Sequence, residues 1–187
     1  MIASAYVQRV ALLLTDVRCS YADDRKTSLD DAVRVAVDIL RDARSRQATV
    51  ACVGNGGSAT MASHLAEDLV KLRNVRAMTF GDAGLLTCLG NDCGFGHVFD
   101  VPIRIFLGGA DVLVAISSSG LSENVLCAAR MAMDADATVI TLTGFGTENP
   151  LRGMGDVNFH VPERHYGLVE SAHAALVHCL VDCWEDA

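Results

Sequence analysis

Residues 49–58 read TVACVGNGGS: a β-branched and apolar run that stops abruptly in Gly54-Asn55-Gly56-Gly57-Ser58. A short continuous apolar run closed by a turn is the pattern of a strand buried on both faces. From Ala59 to Phe80 the chain carries neither glycine nor proline, which leaves room for a helix directly after the turn. Working outward, the strand pattern returns at 75–80, 112–116, 138–143 and 157–161, with spacers long enough for helices between the runs. Five strands alternating with helices predict an α/β fold built on a parallel sheet. Upstream, apolar residues recur at helical spacing over 6–22 and 29–46 (Val33, Ala36, Val37, Leu40), and Ser28 with Asp31 forms an N-cap with an acid in the first turn. These are two N-terminal helices. The closing segment, 168–184, is apolar enough for a largely buried helix. There is no fixed-period repeat, low-complexity tract or linker, so 1–187 reads as a single domain onto which residues 1–46 pack.

Lys+Arg number 15 against Asp+Glu 23, a formal charge of −8. Without clustered cations the chain lacks the counterion-releasing surface of a nucleic-acid binder. A single phosphate is another matter, since hydroxyls, backbone N–H groups and a helix N-terminus hold one without net positive charge. No uncharged stretch is long and apolar enough for a transmembrane helix, and no basic region precedes an apolar N-terminal patch, so no membrane partner and a cytoplasmic location are expected. The 7 cysteines include no C-x-x-C pair, which predicts reduced, mostly buried thiols; Cys179 and Cys183, one helical turn apart, read as core packing.

In a parallel sheet the ligand crevice lies beyond the carboxyl ends of the strands. Two polar loops fall there: Gly54-Asn55-Gly56-Gly57-Ser58 and Ser117-Ser118-Ser119-Gly120-Leu121-Ser122. The first lets backbone approach a ligand at a helix N-terminus; the second offers four hydroxyls to one phosphate. Neither a dinucleotide G-x-G-x-x-G nor a Walker loop is present, and Thr79-Phe80-Gly81 ends the second strand where a nucleotide-binding fold would place an acid. No nucleotide cofactor is expected.

The segments GNGGSATMASHLAEDL, GLLTCLGNDCGF, AISSSGLSENVLCAARMA and ITLTGFG together resemble the sugar isomerase (SIS) domain family and, within it, the phosphoheptose isomerases; the similarity runs from about Leu29 to the C-terminus. The resemblance implies a three-layer αβα, flavodoxin-like sandwich around a five-stranded parallel sheet. It also implies a homotetramer with active sites at subunit boundaries, and a reaction interconverting ketose and aldose phosphates. Matched by position, Asn55, Gly56, Gly57, Ser58, Ser117, Ser118, Ser119 and Ser122 fall on phosphate- and sugar-contacting positions, and Asp92 on a further acidic one. His64, Asp68, Glu170 and His178 match four positions that in the family are typically His, Glu, Gln and His, bind zinc and carry the proton transfers. Here the second is shortened and the third is charged.

Spacing agrees with a site. His64 and Asp68 are i and i+4 on one helix face, and Glu170 and His178 are about 80° apart around the last helix. Two imidazoles and two carboxylates suit a divalent metal such as Zn²⁺, held more tightly than by one carboxylate and an amide. His173, about 140° from His178, reads as a core histidine, whereas His97, His160 and His165 have no partner at ligand spacing. The expected activity converts sedoheptulose 7-phosphate to a heptose 7-phosphate through an enediolate, with Asp68 or Glu170 as base and His178 as partner acid. An isomerase of another long-chain sugar phosphate, and a non-catalytic protein binding a sugar phosphate or a protein, are the alternatives.

Overall fold

The computed structural model of the chain describes residues 2–184. Its elements run α1 (Ala3–Thr15), β1 (Arg18–Tyr21), β2 (Lys26–Thr27), α2 (Leu29–Ser45), β3 (Thr49–Gly54), α3 (Gly57–Arg73), β4 (Arg76–Thr79) and α4 (Ala83–Asp92). They continue with α5 (Asp100–Phe106), β5 (Val112–Ser117), α6 (Glu123–Asp134), β6 (Thr138–Gly144), β7 (Val157–Val161) and α7 (Tyr166–Asp182). The sheet has the order β2-β1-β7-β6-β5-β3-β4.

The five strands expected from sequence, β3 to β7, form the parallel body of this sheet. The sheet as a whole has seven strands, because β1 runs antiparallel on the β7 edge and β2 pairs back on β1. The expected first helix over 6–22 is corrected accordingly: α1 stops at Thr15 and residues 18–21 become strand. The cause is tertiary. Backbone groups along the β7 edge need partners, and the segment at Arg18–Tyr21 supplies them while burying Cys19 and Ser20.

Each strand of the sheet's middle sends alternate side chains to two apolar clusters. In β5, Val112, Val114 and Ile116 join the cluster with α2, α3 and α7; Leu113 and Ala115 join the cluster with α5 and α6. This gives three layers. α2 follows its sequence signals: Ser28 Oγ accepts the Asp31 N–H at 3.1 Å, a cap worth about 1 kcal/mol, and Val33, Ala36, Val37 and Leu40 are buried. All seven cysteines are free, but only Cys19 and Cys52 are buried, while Cys88 and Cys93 are exposed, so the expectation of mostly buried thiols is not met. No helix of the described residues is long and apolar enough to cross a membrane.

The chain passes from β3 outward to β4 and then returns to the other side of β3 as β5. That reversal opens a crevice beyond the carboxyl ends of β3 and β5.

Candidate active site

Both polar loops lie at that crevice, the glycine loop after β3 and the serine loop after β5. Asn55, Ser58, Ser117, Ser118, Ser119, Ser122, Tyr166 and Glu170 line one cavity of about 130 Å³. Within the serine loop, Ser117 Oγ accepts the Gly120 N–H at 3.2 Å, Ser119 Oγ accepts the Leu121 N–H at 3.2 Å, and Gly120 takes the turn at φ +64°. Ser122 stands at the N-cap of α6 without a side-chain capping bond. Its hydroxyl instead lies 3.3 Å from that of Ser117. The Ser118 hydroxyl is buried and has no hydrogen-bond partner among the described residues. A buried polar group left unmade costs about 1–3 kcal/mol, and an anionic oxygen in the cavity would satisfy it.

The glycine loop is tied to α6 by a reciprocal amide pair. Asn55 Nδ2 donates to Asn124 Oδ1 and Asn124 Nδ2 donates to Asn55 Oδ1, each at 2.9 Å. Sequence reasoning missed Asn124; the available signal was an amide in the first turn of a helix, followed directly by the apolar pair Val125 and Leu126. It also missed Tyr166, whose ring packs on Phe145 at 4.7 Å between centroids.

Gly56 is the N-cap of α3, at φ +54°. A Cβ at the next residue, Gly57, would lie 2.6 Å from Glu170 Oε2, so any larger residue there would have to push that side chain aside. The Glu170 carboxylate therefore rests against the first turn of α3, which contains no acid of its own. The helix dipole favours a negative charge at that point.

Farther along the seam of α3 and α7, His64, Asp68 and His178 converge, with ligand atoms all within 4.8 Å of one another. His64 Nε2 is 3.2 Å from Asp68 Oδ2, and the two imidazole centroids are 5.1 Å apart at 73°. Asp68 is buried whereas both histidines are exposed, so the group opens to solvent. Two imidazoles and a carboxylate fit a divalent metal. Glu170 is not in this group. Eight residues on one helix amount to about 12 Å of axial rise, so the angular agreement with His178 read from sequence does not bring the two side chains of one chain together. Asp92 lies apart as well: it ends α4, is exposed, and accepts from Asn91 Nδ2 at 2.7 Å.

Two other histidines belong to the core. His173 Nε2 donates to the Thr143 carbonyl at 2.9 Å, and His160 Nδ1 lies 3.1 Å from Thr143 Oγ1. Burial holds both imidazoles down at about 4, with Arg152 and Arg18 adding to the effect at His160.

The sequence pattern of the SIS domain matches residues 15–144. The phosphoheptose isomerase of Methylococcus capsulatus is 33% identical over 171 residues, covering 86% of this chain and 87% of that protein. Among solved structures, the phosphoheptose isomerase GmhA from Neisseria gonorrhoeae superimposes with a TM-score of 0.86 at 29% identity, covering 98% of this chain and 97% of that one. A phosphoheptose isomerase from Francisella tularensis gives a TM-score of 0.85 at 26% identity over the full length of both chains. With the loops, the crevice and the relatives in agreement over nearly the whole chain, this protein belongs to the phosphoheptose isomerase family of SIS-domain proteins.

Proposed function

We propose that this protein is an aldose–ketose isomerase that converts sedoheptulose 7-phosphate to a heptose 7-phosphate. The observation that carries the reading is the single cavity in which five serines, one of them with an orphaned buried hydroxyl, adjoin the Glu170 carboxylate. The names and coverage of the relatives point the same way.

In this reading the serine loop and the first turn of α3 hold the phosphate through hydroxyls and backbone N–H groups. Asn55 and Ser58 orient the sugar. Glu170, held at the α3 N-terminus, removes the proton from the carbon beside the carbonyl and returns it to the adjacent carbon, so that the intermediate is an enediolate. His178 and Asp68 move the hydroxyl protons that must shift between the two oxygens, a duty that competes with metal ligation by the same side chains. A zinc-type divalent ion on His64, Asp68 and His178, the same set to which sequence adds Glu170, would supply the electrophile that stabilises negative charge on those oxygens.

About 12 Å of helix separates Glu170 from His178 in one chain. A homotetramer that sets the His64 group of one subunit at the mouth of a neighbour's serine cavity brings the two halves into one site. Exposed Val7, Leu12, Val70 and Leu72 on α1 and α3 supply apolar surface for such contacts.

Incubation of metal-replete protein with sedoheptulose 7-phosphate, followed by NMR beside a chelated control, tests both parts. Aldose phosphate that forms only in the metal-replete sample is expected. Formation in both samples would remove the metal from the reaction, and none in either would overturn the substrate.

A further inference from the structure

On the face of the sheet opposite the His64 group, His97, Asp100 and Cys127 bring three ligand atoms within 4.8 Å of one another. Sequence spacing finds no partner for His97; the fold gives it two. His97 closes a short turn at Phe95–His97, Asp100 opens α5, and Cys127 lies in the second turn of α6. The backbone under all three is fixed, because Val98, Phe99, Val125 and Ala128 are buried in the same apolar cluster.

His97 Nδ1 and Asp100 Oδ2 face each other at 2.9 Å, near the edge of about 3.3 Å that a tetrahedral ion with bonds of about 2.0–2.1 Å imposes on its ligands. The other carboxylate oxygen, Asp100 Oδ1, is buried without a hydrogen-bond partner among the described residues. Such an oxygen carries a desolvation cost that a cation relieves. At the sulfur, the exposed Arg130 donates to Cys127 Sγ at 3.6 Å, and its long side chain is free to swing into solvent when another cation arrives.

The geometry points to a second metal site, formed by His97, Asp100 and Cys127, that takes a zinc-class divalent transition metal. The mixed nitrogen, oxygen and sulfur set selects such an ion over calcium or magnesium, which prefer all-oxygen shells. Binding breaks the His97–Asp100 hydrogen bond, with the imidazole proton passing to Nε2, forms a metal–sulfur bond and releases the thiol proton to water, with no change of oxidation state. An ion there would cross-link the turn before α5 to α6, the helix whose first turn carries Ser122 and Asn124.

Cobalt(II) titration of the full-length protein tests the site. The His64 group contains no cysteine, and the six other thiols are all present in Cys127→Ser, so the part of a thiolate-to-cobalt charge-transfer absorption that this variant loses reports the second site, whatever becomes of the isomerase assignment. The expected result is this absorption in the wild type, its loss in Cys127→Ser, and at least about tenfold weaker cobalt binding at this band in His97→Ala. The metal-free melting temperature of each variant serves as the control for folding, and His97, being exposed, is the safer of the two substitutions. No charge-transfer absorption in the wild type, its persistence in Cys127→Ser, or unchanged affinity in His97→Ala would overturn the proposal.

Discussion

Ser118 separates binding from stability better than any other residue of the cavity, because its hydroxyl is buried yet makes no internal hydrogen bond. Ser118→Ala is expected to weaken sugar-phosphate binding by about 1.5–3 kcal/mol, the usual worth of a hydrogen bond to a charged group, while raising the melting temperature of the free protein, since the buried unpaired hydroxyl is removed. Calorimetric titration beside a thermal melt reads both quantities. Ser119 is less clean, since its Oγ also accepts the Leu121 N–H at 3.2 Å and its loss would loosen the loop. His178 is exposed and packs edge-on to His64, so His178→Ala is expected to abolish turnover with the fold intact. Near-normal kcat in that variant would remove the His64 group from the mechanism.

At the level of elements, the site depends on the paired amides that fasten the glycine loop to α6. Asn124→Ala would leave the Asn55 amide without its partner, at a cost of about 1–3 kcal/mol, and would release the loop from its register with Ser122. A lower denaturation midpoint together with a raised KM is expected; a loss of stability with unchanged KM would make the pair a purely structural contact. The α3–α7 seam is a second such element. A methyl group at Gly57 would strike the Glu170 carboxylate, so Gly57→Ala is expected to lower kcat by displacing the proposed base from the α3 N-terminus. Steady-state kinetics on the variant checks this, with circular dichroism to show that α3 persists.

For the whole molecule, the two core histidines couple stability to pH. His160 and His173 have imidazoles held at about 4 in the folded chain against an ordinary value of 6.5, mainly by burial. Between those values the unfolded chain takes up protons that the folded chain refuses. Their neutral state therefore contributes fully above about pH 6.5, and stability falls as the pH drops toward 4. Between pH 7 and pH 5 the loss is expected to be about 2 kcal/mol per histidine. Urea denaturation at the two pH values measures it, and His173→Leu should show a shallower pH slope even if its absolute stability is lower.

The parallel core was legible in the sequence because its signals are local. A strand buried on both faces must be apolar throughout, and its turn must use glycine or small polar residues, so 49–58 and 112–122 announce themselves; the serine loop and the core role of His173 follow from the same reasoning. Residues 18–21 carry no such signal. They are strand only because the β7 edge needs partners, and an amphipathic stretch beside a helix reads as more helix until that edge exists. Likewise the angle between Glu170 and His178 can be computed from their spacing, but the helix that each faces cannot. Packing α7 along α3 sent Glu170 to Gly57 and His178 to His64, two turns apart. The pairing of Asn55 with Asn124 and the meeting of His97 with Cys127 join residues 69 and 30 positions apart in the chain. Contacts of that kind are set by how the layers close on the sheet, so only the tertiary structure decided them.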